Sequence, residues 1–571
     1  MATLVVPGVR VEARFDVLPP LPATAGILGV VGIVDRVPAA GGLTGVGKVS
    51  EIKELLGPGT ETSMPELVHA LANGASEAMV SPVAGGSPAS LTLLNADGNA
   101  CVLLRMRSAG AWANRLRAEV RGIADSNGAT VRVGLRLLDR GRVVDEFQDL
   151  QVAPGQTDDL FETLNQRSRY VVAVDPGFVG ATPAEGTFGF NEDGDAIDVA
   201  EAGGARVLVQ LLPADSVTPA GLSVRIEVSD AGRIEVRVLQ GGLQEQFADL
   251  TMDPDSAQFM PYVLLTQSRL IRVRTMNSRA GAARLPAATV EPRPFAGGTS
   301  PGIDDYRAAI DRLADDTRID LVLASIDQDP AANAAAQNAL ASQVHQALVA
   351  HAVAMADNGA PRIAFGSVTQ NEQSELGRIR DHAAAVRNRR FVLVSPSGAD
   401  GAVAGLIGRM NSQDSPTFKT TPLHGLAAAR YRESELNRLL GPTTNLLVVQ
   451  DRAGRGIVVL KGIDTTGDQI SVTRVADLCI RETKAISENF IGRLNTEEAR
   501  IALKQQLFAT FTRMERDGAL VPSTDGRDPA FFVDVYSTTL DFAQGIVRVD
   551  IAVRPVRSID YIYATIRVKN Q

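Results

Sequence analysis

The spacing of apolar residues changes along the chain and divides it into regions that differ in their predicted helices and strands. Up to about residue 98, short β-like runs at 9–15 and 27–34 are mixed with helix-like runs at 50–56 and 64–73. Ser63 precedes the last of these helices and Glu66 comes three residues later, so the pair is predicted to form a capping box. Residues 1–98 are therefore predicted to be the N-terminal part of a mixed fold.

From about residue 99 to 276 the pattern becomes β-rich, and it repeats. Segments 145–174 and 244–273 align through pairs at a constant offset: Phe147/Phe247, Asp149/Asp249, Leu150/Leu250, Pro154/Pro254, Leu164/Leu264, Ser168/Ser268 and Arg169/Arg269. We predict two copies of one small β-rich domain, at 99–200 and 201–283, each with a short helix before its final strand. The copies are interpreted as inserted surface domains, with a doubled binding module as the functional alternative.

A Pro/Gly-rich linker at 284–302 precedes a region in which helix-like runs alternate with short apolar strands. This alternation is typical of βαβ units and predicts an α/β core domain with a largely parallel sheet over residues 303–470.

The last part of the chain, 471–571, begins with a helix-like run at 473–488 and continues into a second helix, which Asn495 is predicted to cap and Gly518 to end. The predicted buried stripe of that helix is Ile501, Leu507, Phe508, Phe511 and Met514. Strand-like runs follow to the end of the chain. The predicted fold class is thus α/β and α+β multidomain, with a βαβ-type core, inserted β-rich domains and extended strands at both termini.

Composition narrows the classes of protein. The chain has 571 residues, of which 45% are hydrophobic and 22% charged, so a large buried core is expected. The formal charge of −9, without a run of Lys and Arg among aromatics, argues against a dedicated nucleic-acid binder. No apolar run approaches the ~18 residues of a membrane span, and no leader-like segment opens the sequence, so a protein made in a cytoplasm is expected. Cys101 and Cys479 are predicted to be buried thiols.

The stretch 42–50, GLTGVGKVS, is close to a phosphate-binding loop. Such a loop needs Ser or Thr directly after the lysine to ligate Mg²⁺, and it follows a strand. Val49 occupies that position, and the preceding residues are interpreted as a Pro/Gly loop. Ser50 is instead predicted to cap a helix that starts at Glu51. No nucleotide or other cofactor is predicted.

Other candidate chemistry lacks the required spacing. The five histidines, His69, His345, His351, His382 and His424, do not match a zinc motif and are interpreted as surface or capped residues, so no metal site is predicted. Ser395 and Ser397 lie outside any nucleophile elbow, and a triad with His382 has no support from the sequence. We predict no catalytic residue and no enzymatic activity.

Several segments, in order, resemble contractile tail sheath proteins. The N-terminal matches to the family pattern are Pro7, Gly8, Val9, Val11, Glu12, Val31, Gly32, Val49, Ser50, Ile52, Leu56 and Gly57. Further similar segments are 109–120, 403–411, 422–426, 439–449, 454–463 and 541–570. Ala113 departs from the family's second glycine, and the β repeats resemble the outward insertions of larger sheaths. The resemblance covers about residues 1–120 and 400–571.

The resemblance implies a structural subunit that polymerises with itself in six-fold rings around an inner tail tube protein. Contraction from a metastable extended state would then drive the tube through a target envelope. It also implies a non-catalytic core of subtilisin-like topology, and baseplate and tail terminator proteins as partners. The subunit would assemble in a host bacterial cytoplasm into a virion tail or injection particle, with no direct contact to nucleic acid or membrane.

Exposed strands at chain termini favour aggregation unless they are paired. We therefore predict two inter-subunit arms that join neighbouring subunits by β-augmentation. The N-terminal arm is Val9, Arg10, Val11, Glu12, Ala13 and Phe15, and the C-terminal arm is Ile562, Ala564, Ile566 and Val568. Pairing of both strands within one subunit is the alternative.

The family resemblance also points to an inner-tube contact on the helix at 473–488, through Arg474, Arg481 and Lys484. A solvated charged face is the alternative for these residues. At the level of function, the alternatives are a P-loop-like ATPase of an injection machine and a multidomain adhesin or glycan-binding protein.

Overall fold

The computed structural model describes residues 26–37, 42–124, 126, 130–328 and 333–561. These residues form two compact units. The first comprises 26–474 with 557–561, and the second is Val475–Val556.

The first unit opens with β1 (Ile27–Gly32), β2 (Thr44–Val46), α1 (Val49–Leu56), α2 (Thr60–Ser63), α3 (Pro65–Ala72) and β3 (Glu77–Pro82). A β-rich region then contributes β4 (Ser90–Leu94), β5 (Ala100–Met106), β6 (Leu116–Ala124), β7 (Thr130–Asp139), β8 (Arg142–Leu150), α4 (Leu160–Arg167), β9 (Val171–Val174), β10 (Gly186–Gly189), β11 (Ile197–Ala200), β12 (Val207–Pro213), β13 (Leu222–Val228), β14 (Ile234–Gln240), β15 (Leu243–Leu250), α5 (Met260–Gln267), β16 (Ile271–Thr275) and β17 (Arg293–Pro294). The unit continues with α6 (Ile303–Arg312), β18 (Leu321–Ala324), α7 (Ala334–Asp357), β19 (Ile363–Ser367), α8 (Leu376–Ala385), β20 (Phe391–Ser395), α9 (Asp400–Gly408), α10 (Glu433–Leu439), β21 (Leu447–Arg452) and β22 (Gly456–Val459).

An eight-stranded sheet forms the core of the first unit, in the order β2-β3-β1-β18-β19-β20-β21-β22. The six central strands are parallel, and β2 and β22 pair antiparallel at the two edges. Helices α3 and α9 cover one face, and α6, α7 and α8 cover the other. Burial on both faces explains why β18, β19 and β20 are continuous apolar runs. The parallel sheet predicted from the helix–strand alternation is present.

Helices α3 and α9 approach closely at two glycines. A Cβ atom on Gly401 would lie 2.1 Å from the carbonyl oxygen of Glu66, and one on Gly405 would lie 2.2 Å from that of Ala70. The crossing also buries two carboxyl groups. Burial raises the pKa of Glu66 to about 7, and burial with the Glu66 charge raises the pKa of Asp400 to about 8.

Both helix caps predicted near the start of this unit are wrong. Met64 is the N-cap residue of α3, because Ser63 already ends the short helix α2, and Ser63 Oγ donates to the carbonyl oxygen of Ile33 at 2.5 Å. Helix α1 begins at Val49, so Ser50 lies inside it and does not cap it.

The sequence repeat is also a structural repeat. The succession β6-β7-β8-α4-β9 recurs as β13-β14-β15-α5-β16, and α4 and α5 are eight residues long and 100 positions apart. Asp149 and Asp249 both have a positive φ, 61° and 57°. Ser168 and Ser268 each donate from Oγ to a carboxylate on β8 or β15, at 2.8 and 2.6 Å. The short helix predicted before each final strand is therefore confirmed.

The chain ends, within the described residues, in α11 (Ile470–Glu488), α12 (Glu497–Arg516), β23 (Phe531–Tyr536), α13 (Thr539–Ala543) and β24 (Arg548–Val553). Thr496 caps α12 through its Oγ1, which accepts from the backbone N–H of Ala499 at 3.2 Å. The predicted cap, Asn495, is therefore off by one residue, and its side chain instead accepts from Arg500 at 2.7 Å. Gly518 follows the helix end with φ +74°, as predicted.

The predicted stripe on α12 is only partly right. The buried residues that pack on the β23–β24 pair are Leu503, Leu507, Phe511 and Met514. Ile501 and Phe508 are 48% and 55% exposed instead. At 100° per residue they lie about a third of a turn away from the buried stripe, so they belong to a different face of the helix.

Candidate functional site

The stretch 42–50 does not form a phosphate-binding loop, although the short strand β2 lies within it and leads into α1. The backbone N–H groups of Gly47 and Lys48 both donate to Glu51 Oε2, at 2.8 and 3.2 Å. Because a carboxylate of the chain itself accepts from these amides, they do not face an open anion site.

The prediction that the histidines lie at the surface is wrong for four of the five, because His69, His345, His351 and His382 are buried. His345 Nδ1 lies 2.9 Å from His382 Nε2, and His382 Nδ1 lies 2.9 Å from a carboxylate oxygen of Glu372, with all three side chains buried. Burial holds the pKa of His345 well below its usual value. His351 is also buried and bonds to Arg362. Sequence spacing did not reveal this network because its members lie on different elements.

Neither candidate serine forms a side-chain hydrogen bond with a histidine among the described residues. Ser395 Oγ is 2.8 Å from the Tyr431 hydroxyl, and Ser397 Oγ donates to Gln328 Oε1 at 3.4 Å. The described chain therefore offers no Ser-His pair for nucleophilic catalysis at this loop.

A scan of the described ranges finds no group of three or more His, Cys, Asp or Glu side chains placed to hold a metal ion. Within the same ranges, no helix has the length and apolar character needed to cross a membrane. Cys101 and Cys479 are buried, as predicted.

The β23–β24 pair in the second unit has unused backbone binding capacity. The strands are antiparallel, and no other described strand pairs with either of them. Arg554 N–H donates to the carbonyl oxygen of Ala530 at 2.9 Å, which fixes which residue pairs are hydrogen-bonded, since these alternate along an antiparallel ladder. It follows that the residues whose backbone groups point away from the pair are Phe531, Val533 and Val535 on β23, and Val549, Ile551 and Val553 on β24. Of these, the Val535 N–H already donates to Asp534 Oδ1 at 3.0 Å.

Exposed apolar side chains flank the β23 edge. Phe508 lies against Phe531 with ring centroids 5.1 Å apart, and Lys504 Nζ binds Asp534 at 3.0 Å, so this face of α12 runs beside β23. Ile501 and Phe508, the exposed apolar residues of α12, therefore form a shelf along the same edge. We call this surface the β23 shelf.

The β24 edge also lies beside exposed apolar side chains. A cavity of about 280 Å³ is lined by Val547 and Val549 together with Ile491 and Leu494, which are both 82% exposed. A two-stranded sheet is marginally stable alone, and open edges beside apolar surface favour the addition of further strands. Both edges of the hairpin thus have the geometry of strand acceptors.

The three basic residues predicted to contact an inner tube all lie on α11. Arg474 is buried, and its guanidinium donates to the carbonyl oxygens of Met410 and Asn411, at 3.0 and 2.9 Å. Arg481 and Lys484 are half-buried. For Arg474 to contact an inner tube, its hydrogen bonds to Met410 and Asn411 would both have to break.

The predicted arm residues, Val9 to Phe15 at one terminus and Ile562 to Val568 at the other, lie outside the described residues. Sequence reasoning identified candidate donor strands but missed the acceptor edges. The sequence did contain one indication of an exposed apolar surface beside β23. Ile501 and Phe508 do not lie on the same face of α12 as Leu503 and Leu507, so the apolar residues of this helix could not all be buried on one side.

Comparison with known proteins gives one match to a family. Residues 464–569 match the model of the phage tail sheath C-terminal domain. A search of curated proteins finds no match. The matched range contains α11, α12 and both strands of the hairpin.

Three solved structures show the range of similarity in fold. The sheath tail protein from Desulfitobacterium hafniense is 13% identical with a TM-score of 0.42, covering 98% of this chain and 100% of its own. The sheath tail protein from Listeria innocua is 12% identical with a TM-score of 0.43, covering 95% and 94%. The helical sheath of the anti-feeding prophage in its contracted state is 15% identical with a TM-score of 0.36, covering 48% and 76%.

Proposed function

The resemblance to phage tail sheath proteins is confirmed over residues 464–569, and we propose that the whole chain is a structural subunit of a contractile tail sheath, without enzymatic activity. The subunit would polymerise in six-fold rings around an inner tube and contract from a metastable extended state. The observation that carries the proposal is the coincidence of this family match with the hairpin whose two edges are open.

Strand exchange between subunits is the proposed mechanism of assembly. The alternating segment at 9–15 and the terminal segment at 562–568 supply two donor strands, and the outer edges of β23 and β24 supply two acceptors. Main-chain hydrogen bonds would give the joint its strength, and the apolar flanks would bury alternate side chains of the donor. A joint of this kind would let the linked subunits move relative to one another without separating.

The remaining partners follow from the same proposal. Arg481 and Lys484, and Arg474 once released from Met410 and Asn411, would face the inner tail tube. Baseplate and tail terminator proteins would bound the sheath, which would assemble in a host bacterial cytoplasm. The core sheet, with helices on both faces, supports the proposed subtilisin-like topology.

Negative-stain electron microscopy of the purified chain tests the proposal. We expect short helical tubes at high protein concentration, and chains lacking residues 1–15 or 562–571 are expected to remain folded but form none. Val11→Asp should also prevent tubes, because it places a charge on the apolar face predicted for the arm, whereas Glu12→Gln on the other face should not.

Two results would contradict the proposal. A full chain that stays monomeric at high concentration argues against the sheath function itself. Truncated chains that still form tubes leave the sheath function in place and rule out strand exchange.

A further inference from the structure

A cavity of about 820 Å³ lies in the first unit where three parts of the chain meet. Arg36 with residues 50–58 around α1 forms one wall, α4 of the first repeat forms the second, and α5 with β16 of the second repeat forms the third. The cavity therefore touches both repeats and the core at once.

The lining of this cavity is strongly basic. Seven arginine and lysine side chains face three carboxylates. Two of those carboxylates are already paired, Asp215 with Arg272 at 3.0 Å and Glu162 with Arg274 at 3.3 Å. The other five cations share only one lining carboxylate, that of Glu54.

Three of those five cations are held in place by neutral acceptors. Arg36 donates from Nε to the carbonyl oxygen of Thr266 at 3.3 Å, and Arg107 donates to that of Ser168 at 2.9 Å. Arg269 donates to a backbone carbonyl of α1 at 3.1 Å. Carbonyl oxygens fix the orientation of a guanidinium without cancelling its charge, so the positive groups are preorganised.

Nearby carboxyl groups offset this charge only in part. Asp35 is buried beside Arg107 and Arg36, and burial raises its pKa. Glu245 accepts from the backbone N–H of Arg269 at 2.9 Å. Burial lowers the pKa of Arg36, while the nearby charges act in both directions: Asp35 and Glu245 raise it, and Arg269 and Arg107 lower it. The cations that line the cavity nevertheless outnumber its carboxylates.

The remaining donors are available to a ligand. Arg167 and Lys53 are exposed, and neither lies within 4.0 Å of a carboxylate in the described residues. Guanidinium groups bind phosphate oxygens through paired N–H donors, and an anion with several charges matches an excess of several cations.

We infer that this cavity is a binding site for a compact polyanion of the phosphate class, such as pyrophosphate or the phosphate chain of a nucleotide. The ligand would contact α1 and both repeats together, and so would fix the repeats against the core.

Equilibrium dialysis of the full chain against pyrophosphate tests the inference, with inorganic phosphate and ATP as parallel probes. The test variant is Lys53→Gln with Arg167→Gln, because both side chains are exposed and their loss leaves the packing intact. The matched control is Arg142→Gln with Arg233→Gln, which removes the same charge from exposed sites on the repeats outside the cavity.

We expect saturable binding of pyrophosphate by the unaltered chain and by the control, and at least tenfold weaker binding by the test variant, equivalent to about 1.4 kcal/mol. Pyrophosphate should also raise the unfolding temperature of the control but not of the test variant. Tighter binding of ATP than of pyrophosphate would identify a nucleotide as the source of the phosphates, and equal or weaker binding a free phosphate compound.

The inference is overturned if the unaltered chain binds none of the three anions saturably at millimolar concentration. It is also overturned if the test and control variants lose affinity equally, because the attraction would then be a general effect of charge.

Discussion

The eight-stranded sheet of the first unit and the β23–β24 hairpin of the second differ in whether their outer strands have further hydrogen-bond partners. The large sheet ends in short antiparallel strands, β2 with three residues and β22 with four, and Phe418 and Thr421 bond to the outer side of β22. Within the described residues, no strand pairs with either outer edge of the hairpin, and exposed apolar side chains flank both edges. Closed edges suit a sheet that is stable by itself, whereas open ones suit a sheet that is completed by another chain.

The largest expected effect is a loss of stability in the first unit. Gly401→Ala should lower the free energy of unfolding of the first unit by about 3 kcal/mol, because the added methyl group collides with the backbone of α3. Trp112, the single tryptophan, lies in this unit, so its fluorescence reports the thermal transition there. Gly377→Ala in α8, where a Cβ meets nothing within 4 Å, is the matched control and should not destabilise. Equal transitions for both variants would contradict the close helix crossing.

The second effect concerns pH. Glu66 and Asp400 have pKa values of about 7 and 8, above those of unfolded carboxyl groups, so their protonated forms stabilise the fold at low pH. This stability is complete below the unfolded values near pH 4 and is lost progressively as the pH rises from about 4 through the folded values of about 7 and 8. Asp400→Asn should flatten the decline of the Trp112 transition between about pH 4 and 8, and Asp381→Asn, an exposed carboxylate on α8, should leave it unchanged. A slope that persists in Asp400→Asn would exclude this pair as its cause.

The third effect concerns the β23 shelf, the exposed apolar surface beside the hairpin. Ile501→Lys with Phe508→Lys should raise the protein concentration needed for tube formation at least tenfold, about 1.4 kcal/mol per subunit, because it charges the β23 shelf. Both side chains are half exposed, so the monomer should remain folded, with a loss of about 1 kcal/mol from the ring contact between Phe508 and Phe531. The control, Leu243→Lys with Val353→Lys, charges exposed apolar positions in the first unit and should assemble normally, as followed by light scattering. Loss of assembly in both variants would show that the shelf has no special role.

The smallest effect concerns the helix that carries the shelf. Thr496→Ala should lower the stability of the second unit by about 1 kcal/mol, because it removes the side-chain acceptor for Ala499 N–H. Thr496→Ser retains the hydroxyl and should behave as the unaltered chain in circular dichroism melting. If Thr496→Ala is as stable as the unaltered chain, the cap does not contribute to the stability of the second unit.

Local signals in the sequence predicted some features well and others poorly. The parallel sheet and the repeat were predictable because helix–strand alternation and recurring residue pairs are properties of the sequence alone. The caps at Ser63, Ser50 and Asn495 were wrong because each position depends on where a neighbouring turn ends. Burial of His345 and His382 was missed because it depends on elements packed around them.

The candidate site shows the same division. Residues 9–15 and 562–568 were identified as donor strands from alternation, and they remain predictions because they lie outside the described residues. The acceptor edges were not identified, because a strand's pairing partners depend on distant parts of the chain. Phe508 was assigned to a buried stripe although it lies on the β23 shelf.

By itself, the sequence determined the succession of elements, the duplicated β-rich module and the resemblance to sheath proteins later matched over residues 464–569. These depend on short-range periodicity and on residue patterns. Only the tertiary structure decided which edges stay open, that Glu66 and Asp400 share one buried region, and that cations from three parts of the chain line one cavity. The physical reason is that open edges, buried charge and cavity charge arise from contacts between residues far apart in sequence, which periodicity does not encode.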